Sequence, residues 1–122
     1  MYFRSLEKTA FMHLLVKMMF ADGYALNSEK NITELVVMFL EMDSDEVMDA
    51  KDMADGQAER IIAGLGQAEK RFVSAALGVM IQIDNEGDYV ETAYYSNLCV
   101  RCGLPYMGPR QAWSVFESVI DV

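Results

Sequence analysis

Apolar residues recur at three- and four-residue steps along most of this 122-residue chain, and this helical period constrains the fold more than any other feature. The clearest stretch, residues 28–42, has apolar residues at i, i+3, i+4, i+7 and i+8, which places them on one helix face. These residues are Ile32, Leu35, Val36, Phe39 and Leu40. Only two prolines occur, Pro105 and Pro109, and runs of β-branched residues are scarce. The sequence therefore predicts an all-α fold.

Breaks in the helical period divide the chain into a single-domain bundle of about six or seven helices. The predicted helices span residues 4–21, 28–42, 44–52, 57–65, 67–83 and 89–102, followed by a last helix from about residue 109. Breaks are predicted near Gly56 and at Gly103, where a glycine followed by Pro105 is typical of a helix C-terminus. Asp43 or Ser44 is the predicted cap of the short third helix.

The same period predicts which side chains face the core. In the first helix the predicted inward residues are Leu6, Ala10, Leu14, Met18 and Ala21. In the helix at 67–83 they are Phe72, Val73, Ala76, Leu77, Met80 and Ile81, and in the last helix Trp113, Phe116 and Ile120. Each of these helices is therefore expected to bury one face.

An internal repeat connects the two halves of the chain. When the sequence is shifted by 62 residues, positions 7–42 align with 69–104 without a gap and share six identities, including Glu7 with Glu69 and Lys8 with Lys70. Predicted helices and turns coincide in the same alignment. We therefore expect one domain over residues 1–122, built from two related three-helix units at about 4–52 and 67–121.

Each repeat contains an aspartate at the end of one helix and a glutamate in the first turn of the next helix, with six residues between them. The pairs are Asp22 with Glu29 and Asp84 with Glu91. In one interpretation these acids only cap helices, and Asp88 with Glu91 has capping-box spacing. In the other, each pair holds Ca²⁺ or Mg²⁺, which prefer carboxylate and carbonyl oxygens. A helix N-terminus favours negative charge, so capping alone can explain the two glutamates. A helix C-terminus disfavours it, so the two aspartates need compensation and support the cation hypothesis more strongly.

These connections carry a family resemblance. The stretch 18–23, which ends in Ala-Asp-Gly, followed by Glu29, resembles the signature of the TerB-like (tellurite-resistance) family, and Asp84 with Glu91 resembles a second copy. Asn85 stands where a glycine would match. The resemblance covers roughly residues 7–104. It implies an all-helical fold of two related units, a binding or scaffold role in stress responses, and acidic residues able to hold a divalent cation.

The charge of the chain excludes several classes of partner. It carries 19 acidic and 10 basic residues, a net charge of −9. Nucleic acid and anionic membrane surfaces require a basic footprint, so neither is an expected partner. No apolar run is long enough to span a membrane, and Glu7 and Lys8 interrupt any signal-peptide core. We expect a cytoplasmic protein that binds cations or protein partners, with a homodimer as one possible assembly.

The remaining chemically active side chains predict no enzyme. Cys99 and Cys102 lie three residues apart without a second ligand pair, so ordinary packing is expected. His13 is the sole histidine, expected to be structural and able to pair with an acid. No nucleophile or phosphate-binding motif accompanies it. Two functions remain: a non-enzymatic TerB-like binding module, or a purely structural interaction or oligomerisation domain whose acids only cap helices.

Overall fold

The computed structural model describes residues 1–20, 27–83 and 89–120, which form seven helices and no strand. The helices are α1 (Ser5–Met19), α2 (Asn27–Phe39), α3 (Ser44–Asp52), α4 (Asp55–Ala63), α5 (Gln67–Ile83), α6 (Tyr89–Cys102) and α7 (Pro109–Ile120). The predicted all-α fold is confirmed, and α5 and α6 have the predicted bounds. None of the helices in the described ranges is both long enough and apolar enough to cross a membrane.

Local signals set two helix ends as the sequence predicts. Asp43 is the N-cap of α3, and its carboxylate accepts a hydrogen bond from the Glu46 N–H at 2.8 Å. The Glu46 carboxylate accepts one in return from the Asp43 N–H at 2.9 Å, which completes a capping box. After α6, Gly103 has a φ of +66°, in the left-handed region that favours glycine, and the Leu104 N–H donates to the Cys99 carbonyl. The predicted cap and the predicted stop are both confirmed.

The second helix ends at Phe39, before the predicted bound at residue 42. Glu41 has a φ of +53°, which no right-handed helix can contain. The Met42 N–H donates to the Val37 carbonyl at 3.0 Å, the closing hydrogen bond of a Schellman turn. Glycine or asparagine usually occupies the left-handed position, so a glutamate gave no sequence signal for this early end.

The break predicted near Gly56 exists, but Gly56 itself lies in the first turn of α4. The chain instead leaves the helical conformation at Met53 and Ala54, whose ψ angles of 139° and 144° are extended. The N–H groups of a first helical turn have no intrahelical partner, so a glycine there interrupts no hydrogen bond of its own. The short helix therefore spans Asp55–Ala63 rather than residues 57–65.

Helix α1 lies at the centre of the bundle. It packs most extensively against α3 and α4, and it also contacts α2, α5 and α6. Ala10, Leu14 and Met18 are buried as predicted, whereas Leu6 is 54% exposed. Burial extends around the whole helix: its buried residues are Thr9, Ala10, Phe11, Met12, His13, Leu14, Leu15, Met18 and Met19. The expectation of a single buried face is therefore wrong for α1, because neighbours surround it.

The second half of the core centres on α5 and its extensive contact with α7. The rings of Phe72 and Phe116 stack at a centroid distance of 5.9 Å. Of the predicted core contacts of α7, Phe116 is buried, whereas Trp113 and Ile120 are only partly buried. The two helices approach closely at Gly78, where an added Cβ would lie 2.9 Å from the Ala112 Cβ.

Candidate functional site

The four predicted cation ligands lie outside what the structure describes. Asp22 and Asp84 belong to the undescribed segments, and Glu29 and Glu91 fall within α2 and α6 but their side chains are not described. The cation hypothesis therefore stays a prediction. Among the residues that are described, no three histidine, cysteine, aspartate or glutamate side chains are grouped to hold a metal ion.

The cysteine pair on α6 behaves as core packing. Cys99 and Cys102 are both buried and free. Burial raises the pKa of both thiols, that of Cys102 to about 11. The thiolate is the form that attacks electrophiles and binds metals, so these protonated thiols are poorly suited to redox or metal chemistry.

The sole histidine connects three helices. His13 on α1 is only 5% exposed. Its Nδ1 lies 2.8 Å from the Ala50 carbonyl oxygen, in the last turn of α3, and its Nε2 lies 2.6 Å from Asp55 Oδ1, at the start of α4. The expected pairing with an acid is thus confirmed. A carbonyl and a carboxylate both accept hydrogen bonds, so each ring nitrogen of His13 faces an acceptor.

The charges around Asp55 are balanced locally. Lys17 Nζ lies 3.5 Å from its second carboxylate oxygen. The hydrogen bond from His13 is the main cause that lowers the pKa of Asp55 from its ordinary value of 3.8, and the charge of Lys17 lowers it further. Because both nitrogens of His13 are engaged, neither is free to take a proton from a substrate. The geometry makes His13 a cross-link between α1 and the α3–α4 junction.

Sequence reasoning missed Asp55 as the partner of His13. The two residues are 42 positions apart, and no motif connects them. The presence of an acid at position 55 can also be explained locally, because a helix N-terminus favours a carboxylate in its first turn. A contact between two helices that are distant in sequence leaves no periodic signal in either one.

A pocket of about 470 Å³ lies beside this cross-link, and we call it the His13 pocket. Its lining residues are His13, Val16, Lys17, Phe20, Ala50, Lys51 and Tyr94. They come from α1, α3 and α6 together with the residue that follows α1. Within the described ranges, the lining combines apolar surface with two lysines and includes no carboxylate.

Tyr94 carries a hydroxyl that is not used within the described ranges, where it has no hydrogen-bond partner. Burial raises the pKa of this phenol, and the charges of Asp55 and Glu59 raise it further, so the hydroxyl remains a donor. Glu59 is itself neutralised by Arg101, whose Nε and second terminal nitrogen lie 2.6 and 3.1 Å from its two carboxylate oxygens. Both acids behind the pocket are therefore paired with cations.

A second concavity, of about 580 Å³, opens between α1, α3 and the start of α4, and we call it the acidic cleft. Its lining residues are Ser5, Leu6, Thr9, Asp43, Asp45, Glu46, Asp49, Asp52, Met53 and Gln57. Asp43 and Glu46 are engaged in the capping box of α3. Asp45, Asp49 and Asp52 are exposed, and their spacing of four and three residues puts them on one helix face.

No cation within the described part of the chain pairs with these three aspartates. In the part of the chain that the structure describes, the lining of the acidic cleft includes no lysine, arginine or histidine. Leu6 and the partly buried Met53 add apolar surface beside the acids. The cleft therefore presents an unneutralised negative surface with an apolar border.

Comparison with known proteins identifies the fold but no function. No protein-family model matches this chain, and no curated protein matches it. The chain is similar to the crystal structure of a protein of unknown function from Porphyromonas gingivalis W83, with a TM-score of 0.82 and 24% sequence identity. The similarity covers 97% of this chain and 98% of the other. At this identity the likeness establishes a shared all-α fold.

Proposed function

We propose that this chain is a non-enzymatic binding module that holds a basic segment of a partner protein in the acidic cleft. This proposal agrees with the binding or scaffold role in stress responses that the TerB-like resemblance implies. The observation that carries it is the lining of the cleft, which has five carboxylates and no basic side chain among the described residues. Electrostatic complementarity of this kind increases association rates and selects partners by charge.

The form of the cleft supports an amphipathic basic segment over a simple cation. Asp45, Asp49 and Asp52 are spread along nearly the whole of α3, which has nine residues, so they match a row of separate positive charges. Leu6 is 54% exposed and offers contact for an apolar side chain of the partner. Lysine and arginine on one face of a helix, with apolar residues at its edge, fit both features.

Calorimetry with a synthetic lysine- and leucine-rich amphipathic peptide tests the proposal. We expect saturable binding that weakens as salt increases, because exposed charges are screened. The double variant Asp45→Asn with Asp49→Asn should weaken binding about tenfold, since two charged contacts are lost. A matched control changes two exposed acids outside the cleft, Glu34→Gln with Glu117→Gln, and removes the same net charge.

Equal weakening by the two double variants would show that the peptide responds to the net charge of −9 rather than to the cleft. Absence of saturable binding would favour the alternative, a structural or oligomerisation domain whose acids only cap helices. Sedimentation of the unmodified chain then decides whether it forms a homodimer. The cation component is tested separately: a Ca²⁺ or Mg²⁺ titration should saturate, and Asp22→Ala and Asp84→Ala should abolish it.

A further inference from the structure

The His13 pocket differs in charge from the rest of the molecule. The chain has a net charge of −9, yet two of its ten basic residues, Lys17 and Lys51, line this one pocket, and no acid among the described residues does. Asp55, a carboxylate beside the pocket, is already paired with His13 and Lys17. Lys51 has no ion pair within the described ranges. A positive charge in the lining of this mostly apolar cavity therefore has no ion-pair partner among the described residues.

We propose that the His13 pocket binds a small organic anion in which one carboxylate is attached to an aromatic or apolar body. Its volume of about 470 Å³ lies in the range of small-molecule sites, which combine an apolar lining with a few convergent polar groups. Val16, Phe20 and Tyr94 supply surface for the body, and Phe20 is 51% exposed, so it is available for contact. The lysines and the unused Tyr94 hydroxyl supply donors for the carboxylate.

The same geometry disfavours a polyanion such as a phosphate. The pocket includes Ala50 and Lys51 from the last turn of α3, and the carbonyl end of a helix repels additional negative charge. Lysines act as point charges, and no arginine of the lining provides a bidentate phosphate clamp. A single negative charge on an apolar body therefore fits better than a compact, multiply charged ion.

This inference is independent of the proposed protein-binding role. Ala50 and Lys51 lie on a different face of α3 from Asp45, Asp49 and Asp52. A ligand in the pocket leaves the acidic cleft open. The two proposals can therefore succeed or fail separately.

Methyl NMR with three probes tests the pocket directly. Phenylacetate carries both the ring and the charge, phenylacetamide keeps the ring without the charge, and inorganic phosphate carries charge without a ring. We expect phenylacetate to shift the Val16 and Ala50 methyl signals saturably, with clearly weaker effects from the other two. Equal effects of phenylacetate and phenylacetamide, or a stronger effect of phosphate, would overturn the proposal.

Two pocket variants and one matched control make the test specific. Lys51→Met keeps the aliphatic stem, and we expect it to weaken phenylacetate binding about threefold while leaving phenylacetamide binding unchanged. Tyr94→Phe should weaken phenylacetate binding about tenfold or more, because it removes a hydrogen bond to a charged carboxylate. Lys30→Met, on exposed α2 surface outside the pocket, should have no effect. An equal loss in the Lys30 and Lys51 variants would contradict a local site.

The C-terminus of a protein could offer the same carboxylate and aromatic ring as a small molecule. A peptide ending in phenylalanine tests whether the pocket prefers that source. We expect it to bind no more tightly than phenylacetate, because the pocket accommodates one ring and one carboxylate. Saturable binding of the peptide without any binding of phenylacetate would overturn the assignment of a small molecule.

Discussion

The acidic cleft and the His13 pocket use opposite parts of the same short helix, α3, and yet they differ in charge. On the cleft side, Asp45, Asp49 and Asp52 are exposed and have no cationic partner in the described ranges. On the pocket side, the neighbouring acid Asp55 is held by a histidine and a lysine. An acid that is paired with a cation adds little negative charge to the surface around it, whereas an unpaired acid adds its full charge. The charge of each surface therefore depends on which acids are paired and not on the net charge of the chain.

The largest effect is expected from breaking the cross-link on the pocket side. His13→Ala removes a buried ring and leaves the Ala50 carbonyl without its donor, so the free energy of unfolding should fall by about 2–4 kcal/mol. Urea denaturation measures this loss. On the cleft side, Asp49→Ala changes an exposed residue and should alter stability by less than about 0.5 kcal/mol. Similar losses in the two variants would show that the two sides of α3 do not differ as described.

A smaller effect is expected from the charge of Asp55. Its pKa is lowered in the folded chain, so its stabilising contribution is present above its ordinary pKa of 3.8 and is lost as pH falls through the lower folded value. The side chain is 59% exposed and screened by solvent, so this contribution should stay below about 1 kcal/mol. Unfolding curves between neutral and strongly acidic pH measure it. Asp55→Asn should be less stable at neutral pH, and the difference should disappear in acid; a difference independent of pH would contradict the ion pair.

The smallest effect sharpens the description of the cleft itself. Asp45 lies in the first turn of α3 and Asp52 is its last residue, so the helix dipole stabilises the first charge and destabilises the second. Both are neighbours of Asp49, so their neutralisation relieves like-charge repulsion to a similar degree. Asp52→Asn should therefore be more stable than Asp45→Asn by roughly 0.5–1 kcal/mol in thermal unfolding. Equal stabilities would show that α3 exerts no dipole effect on the cleft.

The contrast between the two surfaces explains how far the sequence could predict a site. Once α3 is known to be a helix, the spacing of residues 45, 49 and 52 alone places their side chains on one face. It does not predict that Leu6 borders them, since that depends on how α1 packs against α3. The His13 pocket was beyond prediction, because it collects side chains from three helices whose residues are far apart in the chain.

Sequence by itself determined the number of helices in this protein and most of their ends. The Asp43 capping box, the left-handed Gly103 and the start of α7 at Pro109 depend on residues within a few positions of one another, so local patterns predict them. Only the tertiary structure decided which helix became central and which acids were neutralised. Helix α1 is buried on all sides by helices that come from other parts of the chain. The hydrogen bond between His13 and Asp55 joins segments 42 residues apart. Such contacts depend on packing geometry and leave no periodic trace in the sequence.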